Sequence, residues 1–556
     1  MIRSILTVTT ALTLAGCATV PMSADSSAVT PPPVAAAANT GAVQTPGIEA
    51  LSIAELSAAM ARGDTTSEAI TAGYLARIAA IDDAGPMLNA VIATMPDALD
   101  QARARDAERA AGKVRGPLHG IPILIKDNIE AAGPLPTTAG SLALADNVTN
   151  RDAPMIARLK AAGAIILGKT NLSEWANIRS NNSTSGWSAV GGLTKNPHVL
   201  DRNTCGSSAG SGAAMAAGLA AGTIGTETDG SITCPAGING VVGFKPTVGL
   251  VSRTYIVPIS HSQDTAGPMT GSVRDAAMML TAMAGSDPAD KATAEADAHK
   301  TDYAAALDAN WLAGKRIGLM VDRIGKKPEI RAIVDEALAT LRAKGAEIVE
   351  ISDSRKGMDK LGDAEFEILM VELKADMNAY LAATPPTVKS RTLADLIAFN
   401  KVHADTELRY FGQESFELAE GKPGLDDANY IATRDAAQKL AGPDGIDRLM
   451  REYKVDVLIG VTNGPAWLSN LEKGDAYEGP SASQLPAVAG YPHLTVPGGT
   501  VGDLPVGISF IAGKWDDAKV LSAGYAFEQA RPRIVTPGFI ATTGESPKAA
   551  EPTPAQ

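Results

Sequence analysis

From Ile48 onward the apolar residues first fall at helical spacing. The stretch "SIAELSAAMARGDTTSEAITAGYLARIAAID" carries two amphipathic patterns, separated by Gly63-Asp64 and a Thr/Ser-rich capping region, and predicts two helices. The pattern then changes period. "GPLHGIPILIKDNIE" holds an unbroken apolar run, 121–125, between Gly120 and Lys126-Asp127, as a buried strand bounded by turn residues would. Residues 153–162 read as a helix and 164–167 as a strand, and "GKRIGLMVD" and "EALATLRAKGAEIVEI" repeat the theme between 314 and 351. Helices alternating with strands predict an α/β fold built on a largely parallel sheet.

The two ends break this pattern. "MIRSILTVTTALTLAGC" pairs Arg3 with an apolar run over 5–15, too short to span a bilayer but suited to an export signal. It ends in Leu14-Ala15-Gly16-Cys17, which resembles the lipobox of bacterial lipoproteins, where the cysteine is acylated and becomes the new N-terminus; the plainer alternative is a cleavage site with an incidental Cys17. Residues 18–46 are rich in Ala, Pro, Thr and Ser with Asp25 as the only charge, and cannot bury enough apolar surface to fold. They predict a disordered tether of roughly 30 Å end to end. The expected organisation is therefore a signal segment over 1–17, a tether over 18–46, a folded domain over 47–541 and a disordered tail over 542–556. With Ala18 after the cysteine, the expected location is the periplasm, with a lipid anchor in the outer membrane.

Composition narrows the partners. A formal net charge of −13, with no local cluster of Lys and Arg, leaves no basic field for a nucleic acid. The six histidines are scattered without an HExxH or paired arrangement, so no metal site is expected. Cys205 and Cys234 lie outside any CxxC spacing and are expected as plain thiols.

The most unusual stretch is "CGSSAGSGAAMAAGLAAGTIGTETDGSITCPAG", with a Gly/Ser cluster at one end and a Gly-Ser pair at the other. Gly206-Ser207-Ser208-Ala209-Gly210 formally matches GxSxG, which would make Ser208 a nucleophile served by a distant histidine such as His493. That motif requires a hydrophobic strand directly before the serine, and the residues there are Asp201-Arg202-Asn203-Thr204-Cys205. The alternative joins both ends of the stretch to Lys126. Ligand sites in open α/β sheets lie at the carboxyl ends of strands, so a lysine at that position can project into a site. A lysine after an apolar strand is ordinarily solvated and a Gly/Ser cluster ordinarily a loop; their joint presence with Thr228-Asp229-Gly230-Ser231 points to chemistry.

Those residues carry a resemblance to the amidase signature family of serine hydrolases. It extends over about 51–533, with motifs in family order: "GPLHGIPILIKDNI", "TTAGS", "GKTNLSEWAN", the Gly/Ser stretch, "GTETDGSI", "GVVGFKPTVGLVS" and "AVAGYPHLTVPGG". The resemblance implies an α/β/α fold with a mixed central sheet sandwiched between helices, no cofactor, and an amide substrate, either a small molecule or a short peptide. It implies a Ser-Ser-Lys triad: Ser231 as nucleophile, Ser207 as bridging serine after a cis peptide bond, and Lys126 as base. A lysine with a reference pKa of about 10.4 can be a base near neutrality only if burial and the lack of a carboxylate partner favour its neutral form. The backbone N–H groups of Thr228, Asp229, Gly230 and Ser231 would then form the oxyanion hole.

Asp229-Gly230-Ser231-Ile232-Thr233 departs from the family's frequent Gly-Gly-Ser-Ile-Arg, and the wider motif is similar to the bacterial peptide amidase branch, which removes C-terminal amides of peptides. If its carboxylate faces the site, Asp229 would disfavour substrates ending in a free carboxylate. Trp187 is a candidate for the substrate cleft or for a loop anchor, and residues 280–450 are where selectivity is expected. The readings that compete with a peptide amidase are a general aryl or alkyl amidase, a non-catalytic envelope binding protein of this fold, and the glutamine-hydrolysing component of a tRNA-dependent amidotransferase. The signal segment opposes the last.

Overall fold

The computed structural model describes residues 47–531 and 536–543. The segments read as signal and tether, with Cys17, lie outside the described residues, as does the expected tail from residue 544.

The first helical pattern folds as read. Helix Ile53–Arg62 opens on a capping box between Ser52 and Glu55 and stops at Gly63, whose φ of 79° is left-handed; helix Ser67–Arg77 begins under the hydroxyl of Thr66. Strand Pro122–Lys126 is buried along its whole length between two parallel neighbours, Ile165–Thr170 and Gly222–Glu227, so its run is continuously apolar rather than alternating.

Among the described residues eleven strands form one sheet. In spatial order they are Val91–Thr94, Ile165–Thr170, Pro122–Lys126, Gly222–Glu227, Thr265–Thr270, Val242–Lys245, His493–Val501, Leu504–Ile511, Val457–Val461, Arg316–Met320 and Glu347–Ile351. The expectation of a largely parallel sheet holds only at the flanks, where Ile165–Thr170, Pro122–Lys126 and Gly222–Glu227 on one side, and Val457–Val461, Arg316–Met320 and Glu347–Ile351 on the other, pair in parallel. Between them every pairing is antiparallel, including the hairpin His493–Val501 with Leu504–Ile511, turned at Gly502. The sheet is mixed, as the family resemblance implies, because the α/β alternation read from the pattern belongs to the flanks alone.

Between Glu347–Ile351 and Val457–Val461 the chain leaves the sheet for a run of helices, including Leu361–Ala382, Leu393–Val402 and Ala428–Ala441. Helix Leu361–Ala382 helps build a separate apolar core through Met370, Leu373, Met377 and Leu381, packed with Trp175 and Phe416. Its inner face thereby carries Glu365, Glu372 and Asp376 toward the segments that follow the central strands.

Cys205 and Cys234 are not free thiols. They form a disulfide with Cα atoms 6.0 Å apart and a sequence separation of 29. Helices Ala209–Ala216 and Thr233–Ile238 pack together, and that contact, invisible in the spacing, brings the two sulfurs within bonding range.

Candidate active site

Among the described residues three lysines, Lys126, Lys169 and Lys245, are fully buried. They differ in what surrounds the ammonium. Lys169 lies 3.5 Å from the Asp127 carboxylate, which also accepts from the Thr138 hydroxyl and N–H, so the acid next to Lys126 in sequence is committed elsewhere. Lys245 sits in the negative field of Glu227, Asp517 and Asp229. Lys126, the last residue of its strand, meets hydroxyls instead: its Nζ is 2.7 Å from Ser207 Oγ, 2.8 Å from Thr226 Oγ1 and 3.3 Å from the Thr226 carbonyl. Burial pushes its pKa down to about 7, against the opposing pull of Asp264 and Glu227. Asn128 Nδ2 donates to the same Thr226 hydroxyl oxygen at 3.0 Å, which fixes that group beside the lysine.

Ser207 follows a cis Gly206–Ser207 peptide bond. Gly206 is required by close approach, since a Cβ there would lie 2.1 Å from Ser173 Oγ. The Ser207 carbonyl accepts from the Ser173 N–H at 3.0 Å, and this ties the cluster to the "GKTNLSEWAN" segment. The Ser208 hydroxyl donates to the Thr226 carbonyl at 3.1 Å. His493 is buried with Nε2 2.6 Å from Ser509 Oγ, and burial pushes it down to about 3. The Ser208–His493 pair of the GxSxG reading is therefore not assembled.

Ser231 is set by the turn between strand Gly222–Glu227 and helix Thr233–Ile238. Gly230 takes φ +78°, and Glu227 Oε2 accepts from the N–H groups of Ile232 at 2.7 Å and Thr233 at 2.9 Å, so a buried carboxylate caps the helix that follows the serine. The Ser208 N–H reaches the Ser231 carbonyl at 3.2 Å, which lays the two serine-bearing turns side by side, and the disulfide ties the same two segments a second time. Among the described residues, no protein acceptor takes the N–H groups of Asp229, Gly230 or Ser231. The Thr228 carbonyl instead accepts from Gln263 Nε2 at 3.3 Å, while its hydroxyl donates to Asp264 at 2.6 Å.

A cavity of about 540 Å³ opens beside this cluster, with Asn128, Thr226, Thr228 and Asp264 on its polar wall and Ile256 and Val257 on its apolar one; Lys126, Ser207 and Ser231 are not themselves in its lining. Asp264 is held by the Ile259 and Ser260 N–H groups, and burial pushes its carboxyl up to about 6. Asp229 does not line this cavity. Its carboxyl stands beside Glu365, which Gln263 and Gln484 grip at 2.9 and 3.0 Å; burial, reinforced for Asp229 by the Glu365 charge, pushes both acids up. Both acids are thereby biased toward their neutral forms. Trp187 is buried against Tyr410 and Phe411, with ring centroids 5.4 and 5.2 Å away, the position of a loop anchor.

Sequence reasoning passed over Thr226 and Glu227, although both stand inside the quoted "GTETDGSI". Asp264 sits in an unremarked "SQDTAG" segment, and Glu365 comes from a helix far beyond Ser231 in the chain with no motif around it. Only the fold delivers the last two.

Comparison with known proteins is consistent with these features. The Amidase family model matches residues 69–521. The X-ray structure of native peptide amidase from Stenotrophomonas maltophilia superposes with a TM-score of 0.84 at 49% identity, covering 88% of this chain and 99% of that one. A probable amidase of Arabidopsis thaliana is 38% identical over 89% of this chain and 92% of its own. A component of the glutamyl-tRNA(Gln) amidotransferase of Bdellovibrio bacteriovorus is 34% identical over 86% and 96% respectively.

Proposed function

The chain belongs to the amidase family and hydrolyses amide C–N bonds, and within that family we propose that it is a peptide amidase working through Lys126, Ser207 and Ser231. The observation that carries the triad is the 2.7 Å contact of Lys126 Nζ with Ser207 Oγ, in a buried pocket of hydroxyls where the lysine can be neutral near pH 7. Ser231 Oγ attacks the amide carbonyl while its proton passes to Ser207 and the Ser207 proton passes to Lys126. The oxyanion forms against the N–H groups of the 228–231 turn, of which those of Asp229, Gly230 and Ser231 are uncommitted. The proton then returns through Ser207 to the leaving nitrogen, ammonia departs, and water attacking by the same relay releases the acid from Ser231. The histidine-free relay needs no metal or cofactor.

The substrate assignment rests on likeness to the Stenotrophomonas peptide amidase. Asp229 turns to Glu365 instead of lining the cavity, so the substrate reading does not draw on its charge. The test is ammonia release from an N-blocked dipeptide amide against a simple aliphatic amide and an anilide. Faster turnover of the non-peptide amides assigns a general amidase instead, and failure of a labelled fluorophosphonate to mark Ser231 overturns its assignment as nucleophile.

We also place the enzyme outside the cytoplasm, anchored through Cys17. The Leu14-Ala15-Gly16-Cys17 pattern supports this reading, as does the Cys205–Cys234 disulfide, since such bonds persist in oxidising compartments. Detergent-phase partitioning should be lost in Cys17→Ala; partitioning that persists in that variant refutes the anchor.

A further inference from the structure

A second cavity of about 620 Å³ adjoins the first, and His261 and Ala292 line both. The two hollows meet at these residues, an imidazole and a methyl group. The partition is firmly held. His261 Nδ1 lies 2.9 Å from Asp376 Oδ2, which also accepts the His261 N–H at 2.8 Å; its Nε2 is 3.5 Å from Glu372 Oε1. Glu372 is itself fully buried and fixed by the hydroxyls of Ser260, Ser262 and Tyr430. The imidazole at this passage is partly exposed.

The far compartment is basic. Arg434, Lys439 and Lys514 line it against one carboxylate, Asp435. Arg434 is paired with Asp435 at 2.7 Å, and Lys439 with Asp444. Lys514 has no carboxylate partner among the described residues and lies 5.3 Å from the Trp515 ring centroid. On the catalytic side of the partition, Lys291 lines the first cavity and is likewise without a carboxylate partner among the described residues. Two uncompensated ammonium groups thus flank the passage on a chain whose net charge is −13.

Resting on the peptide-amide reading above, we infer that the cleft takes extended peptides: the terminal carboxamide residue occupies the compartment beside Lys126, and the N-terminal part of the substrate continues past His261 into the second, where acidic side chains are favoured. Both volumes fall in the range of single ligand sites, so one compartment accommodates a short amide and the second has a use only for a longer one. The side chain of a fixed, paired His261 gives the crossing a polar edge for the peptide backbone.

The experiment measures kcat/KM of the full-length enzyme on N-acetylated peptide amides of two, three and five residues with a common terminal residue, the upstream positions carrying either Glu or Lys. The inference expects kcat/KM to rise with length, and Glu peptides to exceed Lys peptides by about two- to fivefold, the scale of one solvent-exposed charge pair. In Lys514→Glu the Glu:Lys preference should invert. If the dipeptide amide is hydrolysed but neither length nor upstream charge changes kcat/KM, the extended cleft is refuted while the peptide amidase reading stands. If no peptide amide is hydrolysed and aliphatic amides or anilides are, both fall. Should Lys514→Glu fail to fold, the wild-type series decides alone.

Discussion

Replacing Lys126 by Met should abolish turnover and at the same time make the protein more stable, by an amount that depends on pH. The lysine is fully buried, and burial lowers its pKa from 10.5 to about 7. In the unfolded chain it keeps its ordinary value. Below pH 7 both states are protonated and the fold bears the whole cost of a buried charge, about 5 kcal/mol at 1.36 kcal/mol per pKa unit. Between 7 and 10.5 the folded lysine is neutral while the unfolded one still binds a proton, so stability rises with pH and the cost falls to about 2 kcal/mol at pH 9. Above 10.5 it vanishes. Met has nearly the same length and carries no charge, so Lys126→Met removes this titration together with the hydrogen bonds to Ser207 and Thr226. The stability difference between variant and wild type should therefore shrink by about 3 kcal/mol from pH 6 to pH 9, whatever the hydrogen bonds are worth. Urea unfolding at the two pH values measures it. A difference that stays constant with pH, or a variant that keeps its activity, refutes the neutral, buried base.

Three further outcomes follow from the same geometry. Ser231→Ala and Ser207→Ala should each lower kcat by about a thousandfold or more without shifting the unfolding midpoint greatly, because members of a proton relay fail together; steady-state ammonia release checks this. Since the neutral lysine is the active form and its pKa is lowered, kcat/KM should climb with pH through about 7, reaching roughly one-tenth of its plateau at pH 6 and nine-tenths at pH 8; His261→Asn should keep that midpoint, and its loss would move the titration to the imidazole. Reducing the Cys205–Cys234 bond, or Cys205→Ala with Cys234→Ala, should cost about 3–4 kcal/mol for a loop of this size and lower kcat as well, because the bond ties together the turns that carry Ser207 and Ser231; thermal unfolding and activity with and without a phosphine reductant test both.

What the amino-acid order determined by itself was local. An unbroken apolar run bounded by turn residues and ending in Lys126 suits a buried strand with its last residue at the carboxyl edge, and Ser52, Gly63 and Thr66 mark helix ends through hydrogen bonds made within a few residues. The glycines beside Ser207 and Ser231 mark close approach and a left-handed turn for the same reason. Everything that depends on distant segments meeting was settled by tertiary structure. In the antiparallel centre of the sheet, Val242–Lys245 pairs with His493–Val501 from far along the chain, and the disulfide exists because two short helices pack. Whether Lys126 or Lys169 is left without a carboxylate depends on which way Asp127 turns. Asp229 meets Glu365 rather than the cavity because a helix from the middle of the chain, with no motif to announce it, packs its acidic face there. Backbone pattern and capping act over a few residues and can be read in order, whereas burial and charge pairing, which decide the chemistry of a lysine or an aspartate, are properties of neighbours that only folding supplies.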